Sequence, residues 1–234
     1  MSDEAAATAP GSPRAGIPKH PDPVAPVFFV SHATAHDPNG DGVMEPNAVF
    51  TEFVRALDED LNHMMARRAG ANPGFIDRSM RAGSSWERQI LNAIGTCQVL
   101  VALVSEPFSN SEWCGMEWHA FTNRATWRRS DGVRMDEPQC ALPVLWTVNP
   151  QGDHPKIVMK QQRFRPRPTQ RSPLDQLYLR EGLYGMYRAE PDAYHSTVWR
   201  IAQEIQRLAT EYWVEPLIPT DSKTLINVFA EEES

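Results

Sequence analysis

The sequence predicts an α/β fold with a mainly parallel central sheet flanked by helices. Two patterns point there. Val99-Leu100-Val101-Ala102-Leu103-Val104 is apolar at every position, as a strand covered on both faces must be. Around it, short apolar runs alternate with stretches whose apolar residues recur at helical spacing, which calls for right-handed crossovers and parallel pairing.

The first elements follow in order. Prolines at 10, 13, 18, 21, 23 and 26 block helix and sheet alike, so residues 1–25 are expected to be a disordered leader. The same stretch lacks the apolar core of a secretory signal. Val27 to Val30 reads as a buried strand ending at Ser31-His32. A polar loop spans His36 to Asn47. Phe50, Phe53, Val54, Leu57, Leu61 and Met65 then mark one face of a helix.

Asn72-Pro73-Gly74 breaks the chain, and Phe75-Ile76 before Asp77-Arg78 is a short second strand. After a loop holding Gly83, Ser85 is the expected N-cap of a helix burying Trp86, Ile90, Ala93, Ile94 and Cys97. The strand at 99–104 ends at Ser105, and a third helix is expected from Ser111 to Trp127. Ala141 to Trp146 is a strand in which Pro143 implies an edge position or a bulge. A long proline-bearing excursion runs from Asn149 to Pro173. Helices are expected near Leu174 to Leu183 and from Ala193 to Tyr212, with residues 213–234 as a C-terminal tail.

Composition narrows the function. A chain of 234 residues with 41% hydrophobic content and a formal charge of -7 is globular and too acidic for a general nucleic-acid binder. No apolar run is long enough to span a bilayer, about 20 residues. Cys97, Cys114 and Cys140 are odd in number and widely spaced, which suits reduced thiols in a cytoplasmic protein better than a disulfide frame or a metal site. Asp37 to Gly42 imitates the start of a calcium loop, but Ala48 stands where a bidentate glutamate belongs. The basic stretch Lys156, Lys160, Arg163, Arg165, Arg167 and Arg171 could hold a phosphate, an acidic peptide or an RNA backbone, but its plainer reading is a solvated loop balancing the acidic surface.

Strand ends are where open parallel sheets gather ligand groups; here they are Ser31-His32, Asp77-Arg78 and Ser105. Four segments in this order resemble a TIR domain. They are Phe28-Phe29-Val30-Ser31-His32, then Phe75-Ile76-Asp77-Arg78 with the Gly83 loop, then Ala93 to Ser105, and finally Ser111-Glu112-Trp113-Cys114-Gly115-Met116-Glu117. The resemblance is good over residues 26 to 147 and looser to Tyr212, giving an expected domain of 26–212. Within the family, the wording of these segments looks closest to bacterial TIR-like proteins encoded with FxSxx-COOH peptide-maturation systems.

The resemblance implies a TIR (flavodoxin-like) three-layer fold, self-association, and partner contacts through the loop of residues 78–85. It also implies NAD+ as a substrate, cleaved between nicotinamide and ribose, with no resident cofactor or metal. On that basis Glu117 is the candidate catalytic carboxylate. Ser31, His32 and Ala33 are candidate dinucleotide contacts, with Arg78, Trp86 and Trp113 aimed at phosphate or base. Each has a plainer alternative. Glu117 could be a solvated acid near a helix start, Arg78 a partner of Asp77, and the two tryptophans core aromatics. Some NAD-cleaving relatives carry arginine soon after the first strand, where this chain has Ala33-Thr34-Ala35. A non-catalytic interaction module is therefore the competing expectation, and a nucleotide-processing enzyme of another α/β family a third.

Overall fold

The computed structural model describes residues 16–33, 48–66, 74–76, 84–149, 154–166 and 172–230. Four strands form the central sheet: β1 (Phe28–Ser31), β2 (Gly74–Ile76), β3 (Val99–Val104) and β6 (Ala141–Leu145). Their order is β2-β1-β3-β6 and every pair is parallel. Residues 27–30 and 99–104 are all buried, so the continuous apolar runs do lie under cover on both faces.

The helices follow from the crossovers. The chain leaves β1 through α1 (Ala48–Met64) to β2 on one side, then passes back through α2 (Ser84–Thr96) to β3 on the other. Right-handed connections running in opposite directions place α1 and α2 on opposite faces. After the short α3 (Glu106–Ser109) and α4 (Glu112–Thr122), α4 packs beside α2. After β6 come α5 (Lys156–Met159), α6 (Pro173–Ala189) and α7 (Pro191–Glu211), and α7 packs on both α1 and α6. The result is the expected three-layer α/β arrangement.

Pro143 pairs with Ala102 on an edge strand, so its missing N–H faces away from the ladder, while its carbonyl accepts from Phe164 N at 2.9 Å. Helix α6 runs past the expected end at Leu183 to Ala189, with a kink between its two stretches at Gly182, where φ is 65°. There the chain presses on the end of β6. A Cβ on Gly182 would stand 2.7 Å from Trp146 O, and Tyr184 N donates to that same carbonyl.

Two expectations need correction. Ser85 is not the N-cap of α2, since Ser84 already belongs to the helix. The third helix stops at Thr122 rather than Trp127, and Trp127 lies in β4 (Thr126–Arg128). With β5 (Arg134–Met135) and β7 (Tyr212–Val214), β4 makes a second, antiparallel sheet of order β5-β4-β7. Strands of two or three residues carry no readable period, and β7 arrives from far along the chain.

The C-terminal segment is laced to the core. Arg124 is buried, and its guanidinium donates to the carbonyls of Ile94, Val214 and Glu215. The Gln98 side chain acts as a surrogate strand, giving its N–H to Val214 O and taking Val214 N–H. Beyond β7, Leu217 N donates to Gly95 O, and Phe229 packs on Phe108 and Trp118. No helix among the described residues is long and apolar enough to cross a membrane.

Candidate functional site

The site is built where β1 ends beside α4. The strand order turns at β1, since the chain goes to β2 on one side and β3 on the other, and such a reversal opens a crevice at the carboxyl ends. Ser31 is the last residue of β1, paired with Ala102 of β3, and is buried. Helix α4 starts beside it because Ser111 caps the helix, its Oγ accepting from Cys114 N at 3.2 Å. One and a half turns later Glu117 points inward and is only 3% exposed.

The two meet. Ser31 Oγ donates to Glu117 Oε2 at 2.5 Å, a short hydrogen bond between residues 86 positions apart. The carboxylate is therefore held in one orientation, and the alternative of a solvated acid is excluded. Burial in a low-dielectric setting strengthens the field this group can exert on a nearby cation.

His32 continues the strand end. Its ring stacks on Phe50 with centroids 4.4 Å apart and meets the edge of Trp146 at 5.6 Å. This aromatic enclosure removes water from the imidazole, and burial lowers its pKa from 6.5 to about 4. His32 is thus neutral at physiological pH, a hydrogen-bonding group rather than a cation. Neither Phe50 nor Trp146 was singled out from sequence. Both sit at apolar positions read as core, and the one available signal was that Trp146 ends a strand.

Ala33 packs half-buried against the core, leaving no side-chain donor at that point. Trp113 lies one helical turn before Glu117 on the same side of α4, partly buried against the core. Trp86 belongs to α2, but its side chain lies outside the described residues, as does all of Arg78. The structure thus brings Ser31, His32, Ala33 and Glu117 to one end of the sheet, with Trp113 one turn before Glu117 on α4, and leaves Arg78 and the Trp86 side chain undescribed.

The far side of α4 is clamped. Gly115 is buried under Asn227, whose Oδ1 would stand 2.0 Å from a Cβ at that position, and Ile226 N donates to His119 Nδ1 at 3.4 Å. The glycine within the Trp113-to-Glu117 segment is thus needed for close approach of the C-terminal segment. Three surface cavities of about 580, 770 and 630 Å³ lie elsewhere, and Glu117 lines none of them. The local chemistry, not cavity size, marks this end of the sheet.

A sequence model described as the TIR domain matches residues 50–163, which run from within α1 past β6 and include Glu117. Over these residues the chain resembles a TIR domain. No curated protein and no solved structure matches it. The match spans β2, β3, β6 and α4 with Glu117, and β1 with Ser31 lies before it. Among the described residues, no group of three or more His, Cys, Asp or Glu is arranged to hold a metal ion. Cys97 and Cys140 are free and fully buried, and desolvation pushes their thiols up to about 11 and about 12, so neither is poised as a nucleophile at neutral pH.

Proposed function

We propose that this TIR-like domain cleaves NAD+ at the bond between nicotinamide and ribose, with Glu117 as the catalytic carboxylate. The observation that carries this reading is the buried Ser31–Glu117 contact at the carboxyl end of β1. The chemistry asks little more of a protein. Nicotinamide departs with the electron pair of the C1′–N bond and becomes neutral, so no general acid is needed. The ribose left behind is an oxocarbenium-like cation, which a fixed carboxylate stabilises by charge. Water then adds to C1′ and releases a proton, giving hydrolysis; attack by a group of the same dinucleotide gives a cyclic product.

In this reading Ser31 orients the carboxylate, while neutral His32 and the Trp113 ring line the approach of the dinucleotide. Ala33, Arg78 and Trp86 complete the contacts carried over from the family resemblance. The near-complete burial of Glu117 supports gating: substrate reaches the carboxylate only after the end of the sheet opens, and self-association would supply that change. The protein would act in the cytoplasm of a bacterium, in signalling or defence, as a 26–212 domain with a leader and a tail. A placing with peptide-maturation systems is the narrower form of the proposal.

The burial of Glu117 and the alanine at position 33 also favour a second reading, a non-catalytic module that binds partners through residues 78–85. One assay separates them. Concentrated protein, with and without a crowding agent, is incubated with NAD+ beside Glu117→Gln, and nicotinamide is quantified. Release by the wild type alone supports cleavage; no release under assembled conditions leaves the interaction module.

A further inference from the structure

The basic stretch that the sequence presents as a solvated loop folds into the wall of a cavity. Residues 160–166 run along the outer edge of β6, pinned by Phe164 N to Pro143 O, and face helix α7 across a space of about 580 Å³. The cavity flanks Ala141 and Leu142, the start of β6, so it lies toward the opposite end of the sheet from Ser31 and Glu117. Five cations line it, Lys160, Arg163, Arg165, Arg200 and Arg207, against two acids, Glu137 and Glu204. A positive recess in a chain of formal charge -7 is a local concentration of charge, and a concave wall focuses its field.

The cations divide by employment. Arg165 forks onto the buried Asp175, and Arg207 is held by Glu204 and Glu211, so these two build the wall. Among the described residues Lys160, Arg163 and Arg200 have no acid partner, and Arg200 donates only to the neutral Gln203 side chain at 3.3 Å. Three cations around one recess suit an anion with several oxygens, and arginine forks match phosphate in particular.

Arg200 also lines an adjoining cavity of about 630 Å³, which contains Trp199. That indole is 39% exposed, unusual for a tryptophan and fitted to stacking on a flat ring. We propose that the paired cavities bind a nucleoside diphosphate, with phosphates on Lys160, Arg163 and Arg200 and the base against Trp199. This site is separate from Glu117 and does not depend on NAD+ being cleaved.

The test uses the full chain at low salt and titrates ADP and inorganic pyrophosphate by calorimetry. Lys160→Gln combined with Arg163→Gln alters exposed side chains only, and an unchanged melting curve confirms the fold. The expected result is ADP binding weakened about tenfold or more in this double variant, from the loss of two charge-assisted contacts. Trp199→Ala should weaken ADP severalfold and leave pyrophosphate alone, and Glu117→Gln should bind ADP as the wild type does. No binding at millimolar ADP, or equal binding by the double variant, overturns the site. Loss of ADP binding in Glu117→Gln overturns it too, by moving the ligand to the other end of the sheet. Indifference of ADP to Trp199→Ala overturns the base half.

Discussion

Ser31 and Glu117, one closing a strand and the other in the second turn of a helix, are joined by a 2.5 Å hydrogen bond in the interior of the protein. Each fixes the other. The hydroxyl gives the buried carboxyl group a donor, and the contact ties the strand end to α4.

Ser31→Ala should therefore affect stability and activity together. Removing the donor from a buried acceptor costs roughly 1–3 kcal/mol, readable as a lower urea midpoint. If Glu117 is catalytic, nicotinamide release falls as well. In a Ser31→Ala and Glu117→Ala cycle the two stability losses should be clearly non-additive, because each variant removes the same contact; additive losses would break the coupling.

Glu117→Gln keeps the shape of the side chain and removes its charge. Nicotinamide release should drop by about a hundredfold or more, the scale of losing one electrostatic stabiliser of a transition state. The melting temperature should move far less than with Ser31→Ala, since the amide oxygen still accepts from Ser31. A variant that cleaves NAD+ at the wild-type rate would remove Glu117 from the chemistry.

His32 makes stability depend on pH in a defined window. Its folded pKa of about 4 lies below the ordinary 6.5, so between those values the unfolded chain binds a proton that the folded one refuses. Stability then falls as pH drops from about 6.5 toward 4, by roughly 2–4 kcal/mol in all. His32→Gln should flatten that part of the curve of unfolding free energy against pH. An unchanged slope would assign it to other groups.

Arg124→Met should loosen the C-terminal segment. The carbonyls of Ile94, Val214 and Glu215 would lose a shared donor, a loss of roughly 2–4 kcal/mol. The melting temperature should fall on the order of 10 °C. Arg124→Lys should not rescue it, because one ammonium cannot span three carbonyls in this planar arrangement.

Gly115→Ala tests the clamp on α4. A methyl group there meets Asn227, which must shift, at a cost of about 1–3 kcal/mol. Limited proteolysis should then cut near residue 225 sooner than in the wild type, and adding Asn227→Gly should restore protection. Unchanged cleavage kinetics would show that the segment does not lean on Gly115.

Much of the central sheet was legible because its strands are apolar throughout and its helices keep a 3.6-residue stripe, both local patterns. Pro143 left an edge position or a bulge open for β6, and the strand order decided for the edge. The second sheet was not legible: Thr126-Trp127-Arg128 is too short to show a period, and its partner at Tyr212 to Val214 lies across the whole second half of the chain. The kink at Gly182 was hidden for a similar reason, since it answers to Trp146 rather than to its own neighbours.

The sequence by itself determined the strand–helix order of the central sheet, many of the residues that form its core, and the segment that carries Glu117. Tertiary structure alone decided that Glu117 is buried, that Ser31 holds it, that His32 is desolvated between Phe50 and Trp146, and that scattered basic residues close around a recess. The physical reason is range. Periodicity and capping act within a few residues and leave their mark on the sequence, whereas burial and pairing depend on which distant surfaces meet once the sheet is assembled.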